Sequence, residues 1–346
     1  MSIAIPIQLR DAPLDRLQRP MHDLRISVLD RCNFRCPYCM PEDDYPRGHQ
    51  FLGKAERLRF EEIERIVRSA AALGVRKLRL TGGEPLLRRE LPTLVRMLAS
   101  VPGIDDIAMT TNGSLLSTQV DALRDAGLGR ITLSLDTLDP DTYRTLSGGR
   151  GEVSDALAAI ATSEAAGYAS IKINCVVIRG VNDDHVLNLA RHFRGTGHVL
   201  RFIEYMDVGT CNAWDMTRVV TSAELRTRIA AQWPIDAVDA NYRGEVAERY
   251  RYLDGAGEIG FISSVSQPFC GDCSRVRLSA DGRLYTCLFG KHGHDLRGAM
   301  RNGIDDAGLR DMITAIWRSR DDRYSELRGI VPIAERERVE MYEIGG

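Results

Sequence analysis

A repeated alternation of short apolar runs and helical stretches, from about residue 24 to 206, constrains the fold of this chain most strongly. Each run is followed by a turn and then by apolar residues at three- and four-residue spacing. The six candidate strands are "LRISVLD", "VRKLRLTGG", "IDDIAMTTNG", "RITLSLDT", "SIKINCVVIRG" and "VLRFIEYMD". The helical stretches between them are "FEEIERIVRSAAALG", "LPTLVRMLAS", "QVDALRDAGLG", "SDALAAIATSEAAG" and "VLNLARHFRG". Strands joined by helical crossovers predict a parallel sheet.

The number of strands limits the way in which this sheet can close. Six candidate strands are too few for a complete eight-stranded barrel. We therefore predict an α/β fold with an incomplete (β/α)6 barrel of the TIM type. Functional residues are expected where the strands end. A cysteine loop, "TGGEP", "TTNG" and "SLDT" lie at the ends of the first four strands, in that order.

The alternation fades after residue 207. Shorter β-like pieces such as "ERYRYLD" and "EIGFISSVSQPFC" follow, and "AGLRDMITAIWRSR" is the clearest late helix. This change predicts a partial barrel over residues 20–210 and an added C-terminal segment over residues 211–346 that carries a second cysteine group.

Composition excludes some classes of function. The formal net charge is −2 and 44% of the residues are hydrophobic, which argues against a polycationic nucleic-acid binder and against disorder. No run of about 18 apolar residues and no secretory leader is visible. We expect a cytoplasmic protein that binds neither nucleic acid nor membrane.

Several cations lie inside the candidate strands, among apolar neighbours. They are Arg25, Lys77, Arg79, Lys172 and Arg201. Lys77 and Arg79 are two residues apart and share a face of an extended strand. Acidic partners or solvated strand ends would satisfy such cations, but burying several together favours an anionic ligand. Because no G-x-x-x-x-G-K-[ST] loop occurs, a nucleotide would have to be bound by side-chain cations.

Most of the eight cysteines fall into two triads. Cys32, Cys36 and Cys39 form C-x3-C-x2-C, and Cys270, Cys273 and Cys287 form C-x2-C-x13-C. Three thiolates leave a tetrahedral zinc site incomplete, whereas a [4Fe-4S] cluster held by three cysteines keeps one iron open. A structural zinc or a redox disulfide stays open for the first triad. Zinc with a histidine of "KHGH" stays open for the second triad.

The remaining cysteines and histidines have simpler interpretations. Cys175 and Cys211 stand apart from the triads, and small buried hydrophobic residues are the expected role for such cysteines. His292 and His294 of "KHGH" are interpreted as solvated loop residues.

A resemblance to a known family appears when the motifs are taken together. C-x3-C-x2-C with Tyr38 before the last cysteine, together with "TGGEP", resembles the signature of radical S-adenosylmethionine (SAM) enzymes. "LRISVLDRCNFRCPYCMP", "KLRLTGGEPLLR", "TTNG", "SLDTLDP", "KINCVV", "RFIEYMD", "C-x2-C-x-R-x-R" and a final "GG" follow the order seen in the GTP 3′,8-cyclase family. The resemblance spans residues 20–346.

The resemblance implies two [4Fe-4S] clusters. Cys32, Cys36 and Cys39 would hold the cluster that binds SAM, and Cys270, Cys273 and Cys287 would hold an auxiliary cluster whose open iron meets the guanine base. By family position, SAM is expected at Tyr38, Gly83, Ser134 and Met206. GTP is expected at Arg25, Arg79, Thr110, Lys172, Arg275 and Arg277, joined by Lys77 and Arg201. Gly83 has no Cβ, so its backbone can approach a ligand closely.

The implied reaction is the first step of molybdopterin biosynthesis. An external one-electron reductant drives cleavage of SAM, and the 5′-deoxyadenosyl radical takes the ribose 3′ hydrogen of GTP. C3′ then bonds to C8, which gives (8S)-3′,8-cyclo-7,8-dihydroguanosine 5′-triphosphate for a downstream pathway enzyme. Arg25 is hypothesised to stabilise or help reduce the cyclised radical, and Gly345 and Gly346 are expected to reach into the active site. The chain is expected to be a monomer or a homodimer.

Two other functions stay open. A radical enzyme acting on a peptide or another small molecule would explain the cysteines, but not the cations or the two final glycines. A non-enzymatic iron-sulfur or zinc scaffold would explain the triads alone. Nucleic-acid binding is disfavoured because basic and aromatic residues are not interleaved.

Overall fold

A single twelve-stranded sheet organises the computed structural model, which describes residues 12–212, 214–328 and 339–345. The strands are β1 (Asp23–Ser27), β2 (Lys77–Thr81), β3 (Asp106–Thr111), β4 (Arg130–Ser134), β5 (Lys172–Val177), β6 (Val199–Glu204), β7 (Ile235–Val238), β8 (Glu248–Tyr252), β9 (Glu258–Ile262), β10 (Arg275–Leu278), β11 (Arg283–Tyr285) and β12 (His294–Asp295). Their order across the sheet is β12-β11-β10-β1-β2-β3-β4-β5-β6-β9-β8-β7.

Helices cross between the parallel strands and continue after them. They are α1 (Phe60–Ala72), α2 (Leu91–Ala99), α3 (Val120–Asp125), α4 (Pro140–Leu146), α5 (Val153–Ala165), α6 (Val186–Phe193), α7 (Ser222–Ala230), α8 (Leu296–Arg301), α9 (Asp306–Ser319), α10 (Tyr324–Leu327) and α11 (Met341–Ile344). The short helix α4 was not among the predicted helices. Its N-cap is Asp139, whose Oδ1 accepts a hydrogen bond from the Thr142 backbone N–H at 2.8 Å, an arrangement typical of helix starts.

The predicted alternation is confirmed for the first half of the chain. Strands β1 to β6 are neighbours in sequence order, and every pair among them is parallel. The α/β class is therefore confirmed. Within β1 and β2, Leu24, Ile26, Leu78 and Leu80 are buried in the main apolar core, so the alternate residues of these strands take the opposite face.

The segment after residue 207 extends the same sheet at both ends, which the sequence analysis did not predict. Strand β9 pairs in parallel with β6, and β10 pairs in parallel with β1. The connection from β9 to β10, residues 263–274, contains two cysteines of the second triad. The sheet thus crosses the predicted boundary at residue 210 and brings the second triad beside the first strand.

Candidate active site

One cavity is lined by all the residues that were predicted to bind a nucleotide. All eight members of that predicted set line it: Arg25, Lys77, Arg79, Thr110, Lys172, Arg201, Arg275 and Arg277. Met206 lines the same cavity, as do Cys270, Cys273 and Cys287. Residues from β1, β2, β3, β5, β6 and β10 therefore surround a common space, with the second triad on its wall.

A row of three arginines crosses this cavity wall. The register of the parallel strands sets Arg25 beside Arg277 on one side and beside Arg79 on the other. Burial lowers the pKa of Arg25 well below its usual range, and the neighbouring Arg277 and Arg79 lower it further. The Arg25 guanidinium makes no hydrogen bond or ion pair within the described part of the chain. A row of like charges without a carboxylate is a suitable surface for a polyanion.

The other two members of this row have neutral partners. Arg79 Nη1 donates hydrogen bonds to Thr110 Oγ1 at 3.1 Å and to Thr132 Oγ1 at 3.0 Å. Arg277 Nη1 donates to the carbonyl oxygens of Ile344, at 3.3 Å, and of Gly345. None of these contacts neutralises a charge, so the two guanidiniums stay available for an anion.

The opposite wall of the cavity adds further positive charge. Burial lowers the pKa of Lys172 to about 8, and Arg201 and Arg130 lower it in the same direction. Arg201 Nε donates to Asn174 Oδ1 at 3.0 Å. Lys77 lies elsewhere on the wall, with its Nζ 3.3 Å from the ring centroid of Tyr242, which is a cation–π contact.

Several residues that line the cavity were not singled out in the sequence analysis, among them two arginines and a tyrosine. Arg130 is ion-paired with Asp106, Arg320 lies just after α9, and Tyr242 lies in the β7–β8 connection. Arg130 opens the strand "RITLSLDT", so the signal that found the other strand cations could have found it. Arg320 and Tyr242 carried no such signal, since nothing local places them beside β1 and β2.

The first cysteine loop follows β1 and is held by the strand-end motifs. The Glu84 N–H donates to the Arg31 carbonyl at 2.7 Å, and Asn112 Nδ2 lies 3.9 Å from Cys32 Sγ. A Cβ on Gly83 would overlap the Arg31 carbonyl and lie 2.8 Å from the Cys32 nitrogen. The close approach that requires glycine at position 83 is therefore made to the cysteine loop itself.

Buried charges surround this first loop. Arg35, 6% exposed, donates from Nη1 to the carbonyl oxygens of Cys32 at 2.9 Å and Phe34 at 2.8 Å, and from Nε to that of Tyr45 at 2.9 Å. Burial raises the pKa of the Glu84 carboxyl to about 7. Burial raises the pKa of Cys32 to about 12, and nearby Glu84 raises it further.

The predicted SAM residues Tyr38 and Ser134 are both related to Asp136, Tyr38 by a hydrogen bond and Ser134 by its position in the chain. The Tyr38 hydroxyl donates to Asp136 Oδ2 at 2.7 Å, and Ser134 ends β4 two residues earlier. Burial raises the pKa of Asp136 to about 6. The "SLDT" motif therefore meets the cysteine loop, as "TGGEP" and "TTNG" do, at the carboxyl edge of the parallel strands.

The second triad has a different environment. Cys270 and Cys273 flank a short 3-10 turn before β10, and Cys287 follows β11. Arg275 Nη2 lies 3.3 Å from Cys273 Sγ. Burial alone would raise the pKa of Cys273, but Arg275 and Arg320 outweigh it and lower the pKa to about 6. A thiolate is therefore favoured at Cys273.

The arrangement of the six thiols bears on the kind of metal group that the two triads could hold. In the ranges that the structure describes, no three His, Cys, Asp or Glu side chains converge on one point as ligands of a single metal ion do. A [4Fe-4S] cluster binds each thiolate at a different iron, so it requires spaced thiols rather than convergent ones. All six thiols are partly exposed and free of disulfides. His292 and His294 are exposed, as predicted, but His294 lies in β12 and not in a loop.

The remaining predicted positions are the lone cysteines and the final glycines. Cys175 is buried, and Cys211 is half-buried, with its Sγ 3.1 Å from Glu340 Oε2. Gly345 has a φ of 69°, and a Cβ there would overlap the Thr81 hydroxyl. Gly345 thus lies between β2 and Arg277, while Gly346 lies outside the described residues.

Comparisons with known proteins agree with this arrangement. A family model for the Radical SAM superfamily matches residues 26–193, and one for Molybdenum Cofactor Synthesis C matches residues 198–326. A curated protein of Xanthomonas axonopodis pv. citri named "GTP 3',8-cyclase" is 57% identical over 97% of this chain and 99% of its own length. The chain belongs to the GTP 3′,8-cyclase family. Its relative of the same name in Staphylococcus aureus is 44% identical over 96% of this chain and 98% of its own length.

Solved structures resemble the fold at low sequence identity. Streptococcus suis SuiB bound to S-adenosylmethionine matches with a TM-score of 0.61 and 15% identity, over 91% of this chain and 70% of that one. Native anSMEcpe with bound AdoMet and Cp18Cys peptide matches with a TM-score of 0.55 and 15% identity, over 93% and 94% of the two chains. These likenesses show a shared fold alone. Among the described helices of this family member, none has the length and apolar character needed to span a bilayer.

Proposed function

We propose that this chain converts GTP to (8S)-3′,8-cyclo-7,8-dihydroguanosine 5′-triphosphate, as a radical SAM lyase in the first step of molybdenum cofactor biosynthesis. One observation carries the proposal: a row of three arginines, with Arg25 unpaired among the described residues, shares a cavity with a cysteine triad. Membership of the GTP 3′,8-cyclase family supports it.

Cys32, Cys36 and Cys39 would hold the cluster that binds SAM. When bound, this [4Fe-4S] cluster supplies the electron that cleaves SAM to methionine and a 5′-deoxyadenosyl radical. The chain's own part is to fix the loop, through Arg35 and through the close packing of Gly83. Tyr38, Gly83, Ser134 and Met206 are proposed to contact SAM at this strand edge.

Cys270, Cys273 and Cys287 would hold the auxiliary cluster. When bound, it supplies an open iron for the guanine base. Its three thiols line the same cavity as the strand cations, which supports a single nucleotide with its base at the triad and its phosphates at the cations.

The cations bind and orient GTP in this proposal. The GTP-binding set is Arg25, Lys77, Arg79, Thr110, Lys172, Arg201, Arg275 and Arg277. Arginine forks suit bidentate contacts to phosphate. Fixing C3′ near the radical while water is excluded is the main requirement of the reaction, and cations on several strands can hold the nucleotide from different sides.

Arg25 is proposed to be catalytic as well as a GTP ligand. Its position in the arginine row would let it stabilise the cyclised radical or assist its reduction. An Arg25→Ala enzyme should bind GTP less tightly and also form the cyclic product slowly at saturating GTP. A normal rate at saturation would exclude the catalytic role.

Gly345 and Gly346 are proposed to reach into the active site. The contact between Arg277 and the Gly345 carbonyl supports this role. Removal of both residues should abolish turnover while the iron content of both clusters stays at the wild-type level. Full activity of the truncated chain would refute the role.

The strands around the cavity support an incomplete barrel. Residues from β1, β2, β3, β5, β6 and β10 line one space, as the inner face of a curved sheet does. We propose a partial barrel over residues 20–210 and an auxiliary-cluster segment over residues 211–346. The eight thiols and the absence of disulfides among them suit a reducing cytoplasm.

The proposed reaction also implies partners. An external one-electron reductant would donate to the first cluster, and a downstream pathway enzyme would take the cyclic product. The protein would act as a monomer or a homodimer.

An anaerobic assay tests the function. The reconstituted, reduced protein receives SAM with GTP, with ATP, or with no nucleotide, and 5′-deoxyadenosine and the cyclic product are measured by liquid chromatography and mass spectrometry. We expect both products with GTP alone. SAM cleavage without GTP would indicate another substrate, such as a peptide, and no cleavage would indicate a scaffold.

Matched variants test the cavity through their affinity for GTP. Arg79→Ala removes a guanidinium of the arginine row and should weaken GTP binding by about 10- to 100-fold, since charged hydrogen bonds contribute about 1.5–3 kcal/mol. Arg251→Ala removes an exposed arginine of β8 that does not line the cavity. The Arg251 variant should bind GTP like the wild type.

A further inference from the structure

A buried group of ions lies behind the second cysteine loop. Asp15, Arg19 and Arg320 have side chains that are at most 1% exposed. Asp15 Oδ2 accepts from Arg19 Nε at 2.6 Å and from Arg320 Nη1 at 3.1 Å. We refer to these three residues as the Asp15 ion cluster. It joins the segment before β1 to the residue after α9.

Both arginines of the Asp15 ion cluster reach backbone oxygens of the cysteine loop. Arg19 Nη1 donates to the Cys270 carbonyl at 2.6 Å, and Arg320 Nη1 donates to the Cys273 carbonyl at 2.7 Å. Within the described ranges, no other side chain donates to these two carbonyls. The two positions that the ion cluster fixes are therefore two of the three thiol-bearing residues of the second triad.

The energetics argue against a role in stability alone. Two buried cations share the carboxylate of Asp15, Arg320 Nε also pairs with Asp322 Oδ2 at 3.3 Å, and Arg19 Nη2 has no hydrogen-bond partner. Desolvating such a group costs several kcal/mol per ion, and apolar residues of similar volume often serve stability as well or better. What apolar residues cannot supply is directed donors for the Cys270 and Cys273 carbonyls.

We propose that Asp15, Arg19 and Arg320 are positioning residues that hold the backbone of Cys270 and Cys273 in the geometry required by the auxiliary cluster. The inference rests on the proposed function, because it assumes a [4Fe-4S] cluster at the second triad. Asp15 orients both guanidiniums, and each guanidinium fixes one carbonyl. The loop is thereby set before the cluster binds.

Asp15→Asn is the decisive variant. In the wild type, Asp15 Oδ1 accepts hydrogen bonds from the backbone N–H groups of Leu17 and Arg19, each at 2.9 Å. The asparagine keeps the size of the side chain and an oxygen that can accept these two bonds. It removes the negative charge that both guanidiniums share. Asp321→Asn is the matched control, because the exposed Arg16–Asp321 pair at 3.3 Å joins the same two segments without touching the loop.

The readouts are the bound iron, the electron paramagnetic resonance spectrum and the midpoint potential of each cluster. A background with Cys32, Cys36 and Cys39 replaced by alanine isolates the second cluster. In that background, Asp15→Asn should lower the bound iron several-fold, or shift the electron paramagnetic resonance spectrum and the midpoint potential of the second cluster that is still bound. With all cysteines present, the first cluster should be unchanged, and Asp321→Asn should match the wild type throughout.

The remaining outcomes each decide the inference. Wild-type iron content, spectrum and potential in Asp15→Asn would overturn it, as would equal loss of both clusters. If Asp15→Asn does not fold, Arg320→Lys decides instead: it keeps the charge without the planar fork, and an unchanged second cluster would overturn the inference. A wild-type protein that binds a cluster only at the first triad would overturn the proposed function itself, and this inference with it.

Discussion

The two cysteine loops are built alike but differ in the charges that act on one thiol of each. In each, a buried guanidinium donates to the carbonyl of a cysteine: Arg35 to Cys32 in the first loop, and Arg320 to Cys273 in the second. Glu84 raises the pKa of Cys32 beyond the effect of burial, whereas Arg275 and Arg320 lower that of Cys273 to about 6. The contrast concerns these two thiols, because in the second loop burial and the nearby Asp322 raise the pKa of Cys287 to about 12.

Under the proposed function, this difference would give the two clusters separate tasks. A cluster gains negative charge when it is reduced, so nearby cations favour the reduced form and nearby carboxylates favour the oxidised form. In the proposed function, Glu84 beside Cys32 suits a first cluster that is a strong reductant and passes its electron to SAM. The basic surroundings of the second loop suit a site that binds an anionic nucleotide.

Removal of one thiol from each loop should have the largest effect and separate the two tasks. Cys36→Ala should abolish 5′-deoxyadenosine formation, because the cluster that cleaves SAM is lost. Cys273→Ala should retain SAM cleavage but lose the cyclic product. The measurement is anaerobic product analysis with GTP. Retained SAM cleavage in the Cys36 variant would contradict the assignment of SAM cleavage to the first loop.

Arg35→Met tests whether the first loop depends on its guanidinium. The change leaves the carbonyls of Cys32, Phe34 and Tyr45 without their side-chain donor, at a cost of about 3 kcal/mol. We expect a lower midpoint of denaturant unfolding and loss of iron from the first cluster, with the second cluster retained. Equal loss of iron from both clusters would argue against a local role.

The midpoint potentials of the two clusters should differ in a defined direction. Without SAM and GTP, we expect the second cluster to have the higher potential, by on the order of 100 mV, because a guanidinium lies beside one of its sulfurs. Potentiometric titration followed by electron paramagnetic resonance measures both values. A lower potential at the second cluster would contradict the electrostatic account.

The smallest expected effect is a pH dependence of GTP binding at the basic cavity. The pKa of Lys172, about 8 in the free protein, should rise when phosphates bind. Below pH 8 the ammonium is already charged. Above it, binding must take up a proton, so affinity should fall by up to about tenfold per pH unit. Isothermal titration calorimetry measures this slope.

A matched variant isolates Lys172 from its neighbours. Arg201, Arg130 and Arg79 surround it, and Glu245 is the one acid among its strongest electrostatic neighbours. Lys172→Arg keeps a charge that is not lost in this range. The affinity of this variant for GTP should therefore change less between pH 8 and 9 than that of the wild type. An identical slope in both proteins would assign the pH dependence to another group.

The sequence predicted the first half of the fold because its signals are local. Six strands with helical crossovers follow from periodicity within about 30 residues, and the motifs at the strand ends converge as parallel strands require. Helix α4 was missed because its N-cap, Asp139, lies within "SLDTLDP", which was interpreted only as the end of a strand. The close approach of Gly83 to the Arg31 carbonyl was also not predicted, because it joins two separate loops.

The candidate site, like the fold, was predicted only where its signals in the sequence are local. The strand cations were predicted because a charge inside an apolar run is visible in sequence, and all eight predicted GTP-binding residues line one cavity. Arg320 was not found, since it follows α9 as an ordinary polar residue. Its contact with Asp15 joins residues 305 positions apart, and no local pattern encodes such a separation.

By itself, the sequence determined the first six strands, their crossovers, the two thiol triads and most of the cations, because each depends on residue type and short-range spacing. Only the tertiary structure decided that β10 pairs with β1 and β9 with β6. That pairing aligns Arg277, Arg25 and Arg79 in one row and sets the second triad beside it. The physical reason is that strand partners and buried ion pairs are chosen by contacts between distant segments, which periodicity does not record.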